Sequence, residues 1–408
     1  MRILISAGEA SGEMYGAQLM EALPRAVSCS QVGTAHVGTG ASAVRAEQSS
    51  AAAGQLEFFG VGGEKMRAAG CDLVVNAEDL AVVGITEILS HLPKIWGLFH
   101  KLIAEADRRR PDLAIVIDSP AFNWRVARQM KKRGVPVVYY VCPQFWAWRQ
   151  GRVRLLRKYV DKALVIFPFE ERFYRERGVN AEFVGHPLAE LPRPAVAREE
   201  YAEKHGLDAG KSWITLMPGS RRKEVRMNLQ GMLEAANLLG REYEFLLPVA
   251  PTLDPKFIAA EAERSPAPAV RLVPVALPAL AHSRAGIIAS GTATVEAAMM
   301  DLPFVMVYRV TPLTYLLGRS TVKVPFFAMV NLIAGGQVVP ELVQRDFTAK
   351  KVVAELRKVI ADGPDRQAML AGLQRVRSLL RGTSRSEQSA ADRASEAILG
   401  LLRSRNAT

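Results

Sequence analysis

The sequence predicts an α/β protein made of two doubly wound domains. Short apolar, β-rich runs alternate with helical patterns along the whole chain. The apolar runs are continuous rather than alternating, as expected of strands buried on both faces of a parallel sheet. At 408 residues the chain is too long for one compact core, so at least two domains are expected.

The strands predicted for the first domain are Arg2–Ser6, Phe58–Gly62, Cys71–Val75, Leu113–Asp118, Pro136–Cys142, Lys162–Phe167 and Ala181–Gly185. Helical patterns lie between them, Asn123–Arg133 and Glu170–Arg177 among them. A second alternation begins with Trp213–Pro218 and continues through Glu244–Val249, Val270–Val275, Gly286–Ala289 and Pro303–Tyr308. The expected boundaries follow. Residues 1–186 form the first domain, and 187–212 a proline-interrupted linker. Residues 213–380 form the second domain. Residues 381–408 end in a basic helix that can pack back on the first domain. Within the first domain, 28–55 read as a flexible Ser, Ala and Gly-rich insertion.

Charge and cysteine usage narrow the function classes. The net charge of +12 points to anionic partners: nucleic acid, a phospholipid surface or phosphorylated substrates. The three cysteines have no CxxC spacing and the six histidines no HExxH, which argues against a disulfide framework or a zinc site. The Ile3-Leu4-Ile5 run is too short for a signal peptide, and no apolar run reaches the roughly 18 residues of a membrane span. Residues 80–110 carry more apolar surface than a helix on a sheet needs, flanked by Lys94, Lys101 and Arg108–Arg110. A buried crossover helix is the commoner source of such a pattern; the overall positive charge keeps open a segment lying on an anionic bilayer.

The candidate chemistry sits at predicted strand ends, where such domains bind ligands. Ser290-Gly291-Thr292 leads into a helix whose first turn carries Glu296. Its free N–H groups suit a phosphate and Glu296 suits a ribose diol; an ordinary N-capped turn fits equally well. Pro218-Gly219-Ser220-Arg221 is a second such turn, and an Arg there can clamp a diphosphate. Arg309 points into the same site or is a plain surface residue. Asn331 is a turn residue or a sugar reader. Glu341 and Gln344 are expected on one face of a short helix. Gly8-Glu9-Ala10-Ser11-Gly12-Glu13 is not GxGxxG, which argues against a nicotinamide or flavin dinucleotide. Asp118-Ser119-Pro120 offers a general base or only a cap. Trp146 and Trp148 head a basic stretch; core packing accounts for one of them. The stretch is too short and too isolated to indicate nucleic acid.

Taken as a set, these motifs resemble the lipid-A-disaccharide synthase family of inverting GT-B glycosyltransferases. The match runs through Ala7–Gly12, Gly60–Gly63, Val83–Leu89, Ile117–Pro120, Trp146–Arg149, Phe167–Glu170 and Gly185–Pro187. It continues with Pro218–Arg221, Ser290–Ala293 with Glu296, Tyr308-Arg309 and Asn331–Gly335. Ala121, Cys142, Gln144-Phe145 and Val330 depart from the family pattern. The resemblance implies two Rossmann-like domains facing a central cleft. It also implies transfer of 2,3-diacylglucosamine from its UDP derivative to 2,3-diacylglucosamine 1-phosphate (lipid X), with a β-1,6 link and release of UDP.

On that resemblance Asp118 is the base, and Ser220, Arg221, Ser290, Gly291, Thr292, Glu296, Arg309, Asn331 and Gln344 hold the UDP-sugar. Glu9, Ser11 and Gly12 line the acceptor side. No metal and no cofactor are expected, and nucleic acid is not expected as a partner. The protein is expected on the cytoplasmic face of the inner membrane, bound peripherally to an anionic surface; a homodimer is left open. Another UDP-N-acetylglucosamine-dependent transferase or an epimerase is the competing enzyme reading. A non-enzymatic anion binder is the competing reading outside enzymes.

Overall fold

The computed structural model describes residues 1–8, 10–32, 56–80, 85–264, 270–312, 315, 324–382 and 388–406. They form two units, Met1–Pro187 with Ser384–Thr408, and Leu188–Thr383.

The first unit is built on a parallel sheet of β1 (Arg2–Ala7), β2 (Glu57–Gly62), β3 (Cys71–Asn76), β4 (Leu113–Ile117), β5 (Val137–Tyr140), β6 (Lys162–Val165) and β7 (Ala181–Phe183). Their order is β3-β2-β1-β4-β5-β6-β7. The winding direction reverses between β1 and β4, where Ala7 pairs with Ile117. The carboxyl ends of those two strands are the ligand-binding corner of such a sheet. All of Leu113–Ile117 is buried, which is why its apolar run is unbroken. The helix Ile85–Arg109 buries Phe99, Leu102, Ile103 and Ala106 in the sheet's hydrophobic core. Those positions recur every three or four residues, so one helical face is apolar. Full burial of each large side chain stabilises by about 2 kcal/mol.

The helix Ala390–Asn406 belongs to this unit, although it lies last in the chain. Its Ala390, Ala394 and Ile398 are buried, and it packs against the helix Ala10–Val32. Arg25 pairs with Asp392 at 3.1 Å, and Arg393 Nε donates to the Val184 carbonyl at 2.7 Å.

The second unit repeats the plan with β8 (Ser212–Met217), β9 (Tyr243–Pro248), β10 (Val270–Val273), β11 (Ala285–Ala289), β12 (Phe304–Tyr308) and β13 (Glu341–Val343). The order is β10-β9-β8-β11-β12-β13, all parallel, with the reversal between β8 and β11.

Several local expectations change. The stretch 187–212, expected as a linker, contains the helix Arg198–His205, and from Leu188 onward it groups with the second unit. Tyr201, Ala202 and Leu207 have a core to enter, packing with Trp213. The segment expected as an insertion from residue 28 is helical as far as Val32; the remainder, 33–55, lies outside the described residues. So do residues 81–84. Glu341 and Gln344 do not share a helical face: Glu341–Val343 is the edge strand β13. Among the described residues, no helix is long and apolar enough to cross a membrane.

Candidate active site

In the first unit, β4 ends at Ile117, where its apolar run stops and one residue short of the strand predicted from the sequence. Asp118 and Ser119 both adopt left-handed backbone, with φ of 48° and 43°. Two such non-glycine residues in succession are uncommon and need outside support. The Asp118 carbonyl accepts from Tyr139 Oη at 2.7 Å and from Asn123 Nδ2 at 2.9 Å. Pro120 then opens the helix Pro120–Lys132, and the Ser119 carbonyl accepts from the amides of Phe122 and Asn123. Asp118 itself is half-buried at the sheet's switch point.

Ser11 is exposed and Gly12 is buried in the first turn of the helix that follows β1. A Cβ added at Gly12 would sit in ordinary contact with Ala7 and Ile117, so this turn lies beside the end of β4. Glu9 lies outside the described residues. His186, in the Gly185–Pro187 motif, is buried, and its ring lies tilted against that of Phe167 with centroids 5.1 Å apart. Burial pushes its pKa down to about 3, so its imidazole is neutral near pH 7.

Trp146 and Trp148 separate as expected. Trp146 is buried and donates through Nε1 to Glu170 at 2.8 Å, while Trp148 is exposed under the Arg149 guanidinium.

In the second unit the candidates gather at the carboxyl ends of β8, β11, β12 and β13, four consecutive neighbours in the sheet. After β11, Gly291 has φ 140° and open space where a side chain would stand. Only glycine adopts that backbone readily, and the open side leaves room for a ligand. The Ser290 hydroxyl is directed elsewhere, donating to the Phe327 carbonyl at 2.7 Å. Thr292 is exposed. The Glu296 carboxylate, half-buried, makes no side-chain hydrogen bond or ion pair among the described residues, and burial raises its pKa. A desolvated carboxylate without a partner is costly unless a ligand supplies the donors.

After β8, Glu224 closes the Pro-Gly-Ser-Arg turn. Its carboxylate accepts from the amides of Ser220 and Arg221 at 3.0 and 3.3 Å and from Arg221 Nη1 at 3.1 Å. Arg221 remains largely exposed, so this single surface pair holds it weakly. The Tyr308 hydroxyl at the end of β12 is pushed up in pKa by burial and then by Glu224, while Arg221 pulls it down; the β8 and β12 ends therefore share one electrostatic environment.

Two expected ligand contacts are committed to the protein. Asn331 is buried, and its amide is fully used. Nδ2 donates to the Val339 carbonyl and Glu341, while Oδ1 accepts from the amides of Val338 and Val339. It is a clamp on the 338–341 loop rather than a sugar reader, because no donor or acceptor is left over. Arg309 turns to Phe347, stacking its guanidinium at 4.6 Å from the ring centroid and donating to the Phe347 carbonyl. Gln344 is different. It has φ 54°, and its Nε2 is buried with no hydrogen-bond partner among the described residues.

The family model described as lipid-A-disaccharide synthetase matches residues 3–395. The chain belongs to the lipid-A-disaccharide synthetase family. The lipid-A-disaccharide synthase of Koribacter versatilis is 52% identical over 402 residues, 98% of each chain. That of Myxococcus xanthus is 41% identical over 98% of this chain and 97% of its own. Solved structures support the fold. The UDP-N-acetylglucosamine 2-epimerase of Neisseria meningitidis bound to UDP-GlcNAc aligns with TM-score 0.58 at 10% identity, covering 99% of this chain and 100% of its own. The calicheamicin glycosyltransferase CalG4 aligns with TM-score 0.55 at 14% identity, covering 98% of each. This synthetase-family chain therefore has the two-domain GT-B fold.

The buried asparagines that hold the strand ends of this lipid-A-disaccharide synthetase family member lie in none of the motifs above. Asn123 spans β1 and β4. Asn228 spans β8 and β12, with Nδ2 donating to the Pro218 carbonyl and Oδ1 accepting from the Arg309 amide. Each sits on the apolar face of its helix, Asn123 with Val126, Ala127 and Met130, and Asn228 with Val225, Leu229 and Met232. A polar residue inside that period is the signal that was available.

Proposed function

We infer that this chain is a glycosyltransferase that forms the lipid A disaccharide. It joins 2,3-diacylglucosamine, supplied as its UDP derivative, to 2,3-diacylglucosamine 1-phosphate through a β-1,6 link and releases UDP. The observation that carries the donor half is the desolvated, unpartnered Glu296 beside the open Gly291 turn at the β8–β11 switch point. A ribose diol supplies the donors that carboxylate lacks. Arg221 and the amides of the Gly291-Thr292 turn face the diphosphate, and Gln344 Nε2 offers a further donor. Fixed donors of this kind stabilise the charge that builds up on a departing diphosphate. Ser220 contributes its place in the turn rather than its amide, which Glu224 already holds.

In the first unit, Asp118 takes the proton from the acceptor's 6-hydroxyl as that oxygen attacks the anomeric carbon. Ser11, Gly12 and Ser119 border the acceptor. A peripheral contact with an anionic bilayer, through the helix Ile85–Arg109, brings the protein to its acylated substrates. The epimerase reading is not favoured: two solved epimerases that align with this chain share 13% and 9% identity with it, which shows the fold alone.

The test is an assay with UDP-2,3-diacylglucosamine and 2,3-diacylglucosamine 1-phosphate, with mass spectrometry of the product. A tetraacyl disaccharide 1-phosphate is expected. Asp118→Asn, which keeps the left-handed backbone accessible, and Arg221→Ala are each expected to lower turnover by about 10²-fold or more. Turnover near that of the unaltered protein in Asp118→Asn removes Asp118 as the base. Absence of disaccharide with the unaltered protein removes the activity.

A further inference from the structure

We propose that Asn123 is a positioning residue for Asp118, setting the direction of its side chain through the backbone without touching substrate. The inference rests on the reading of Asp118 as the base. Asn123 is buried, and its Nδ2 faces the carbonyls of Ile117 at 2.8 Å, Asp118 at 2.9 Å and Ser6 at 3.2 Å. An amide has two N–H donors, so these carbonyls share them.

The Ser6 hydroxyl, also buried, donates to Asn123 Oδ1 at 2.7 Å. That bond fixes which way round the amide lies. Reversed, it would turn its oxygen toward carbonyl oxygens. Ser6, on β1, thereby orients Asn123, and Asn123 ties the end of β1 to the end of β4 and to the first left-handed residue beyond it.

A clamp serving only the sheet would stop at Ser6 and Ile117. This one continues onto Asp118, where Tyr139 Oη supplies a second donor to the same carbonyl. With the Asp118 carbonyl held from the core side, φ and ψ at 118 are set, and so is the Cα–Cβ direction. Sub-ångström placement of a base matters to rate far more than to substrate affinity.

The experiment compares Asn123→Asp and Tyr139→Phe in the unaltered and the Asp118→Asn backgrounds, using the full chain and both acylated substrates. Asn123→Asp keeps the volume and the bond from Ser6 but removes the donors. Tyr139→Phe removes one donor from the same carbonyl and covers the case in which Asn123→Asp fails to fold. UDP binding and melting temperature report integrity. Each substitution is expected to lower kcat by about 10- to 100-fold with the KM for the UDP-sugar unchanged. Each is expected to lower it no further once Asp118 is Asn.

Equal loss in both backgrounds overturns the positioning role and leaves the base reading standing. Unchanged kcat in both variants does the same. Normal turnover by Asp118→Asn alone overturns both readings.

Discussion

A Cβ on Gly8 would stand 2.6 Å from Ser119 Oγ and 2.9 Å from Ser119 Cβ. The ends of β1 and β4 therefore meet without room for a methyl group. Ser119, already left-handed, has little freedom to retreat. Gly8→Ala is expected to destabilise the first unit by about 1–3 kcal/mol, the usual cost of overpacking. It should lower turnover as well, because the displaced residue adjoins Asp118. Urea unfolding and the disaccharide assay check this; no change in either contradicts the close approach.

Asn331 makes the opposite kind of prediction from a ligand contact. Asn331→Ala strands the buried amide of Val339 and the Val339 carbonyl, and each stranded buried group costs about 1–3 kcal/mol. The expected result is a clear fall in the melting temperature of ligand-free protein. UDP affinity of the folded fraction should be unchanged. A normal melting temperature with weakened UDP binding would return Asn331 to the sugar.

Glu296→Gln should separate binding from folding. Losing the charged acceptor is expected to weaken UDP by about tenfold, or ~1.4 kcal/mol. The ligand-free protein should be no less stable, since a desolvated carboxylate is replaced by a neutral group. Calorimetric titration with UDP decides it, and unchanged affinity removes Glu296 from the ribose.

On the helix Ile85–Arg109, Trp96 is 55% exposed while Phe99 is 5% exposed. Phe99 and Leu98 pack with the sheet, and Trp96, stacked on Phe99 from outside, is the better probe of a bilayer contact than either. Trp96→Ser is expected to reduce sedimentation with vesicles containing anionic phospholipid while leaving UDP binding intact. Equal sedimentation would count against this face of the helix.

Glu170 predicts a pH dependence of stability. Its carboxylate accepts from Trp146 Nε1 at 2.8 Å and from the amides of Phe167 and Ile166 at 3.0 and 3.2 Å. Burial outweighs those donors and pushes its pKa from 4.5 to about 7. Between these values the folded state keeps a proton that the unfolded chain has released. Glu170 thus contributes stability that is fully present below pH 4.5 and lost by about pH 7. His186, with its pKa pushed down to about 3, works in the other direction below pH 6.5. The measurement is therefore the difference between Glu170→Gln and the unaltered protein. It should move by ~3 kcal/mol in favour of the variant from pH 4.5 to pH 7.5. A flat difference contradicts the prediction.

Local sequence determined the strands, their alternation with helices and the placement of each motif at a strand's end. These follow from unbroken apolar runs such as Leu113–Ile117, and from the glycine and proline residues that stop them. Tertiary structure alone decided what each polar side chain at those ends does. Ser6 and Asn123 are 117 positions apart and share a hydrogen bond only because β1 and β4 are sheet neighbours. The commitments of Asn331 to the 338–341 loop and of Arg309 to Phe347 arise in the same way. A buried donor must find its acceptor wherever folding delivers one, and that partner is not encoded in the residues beside it.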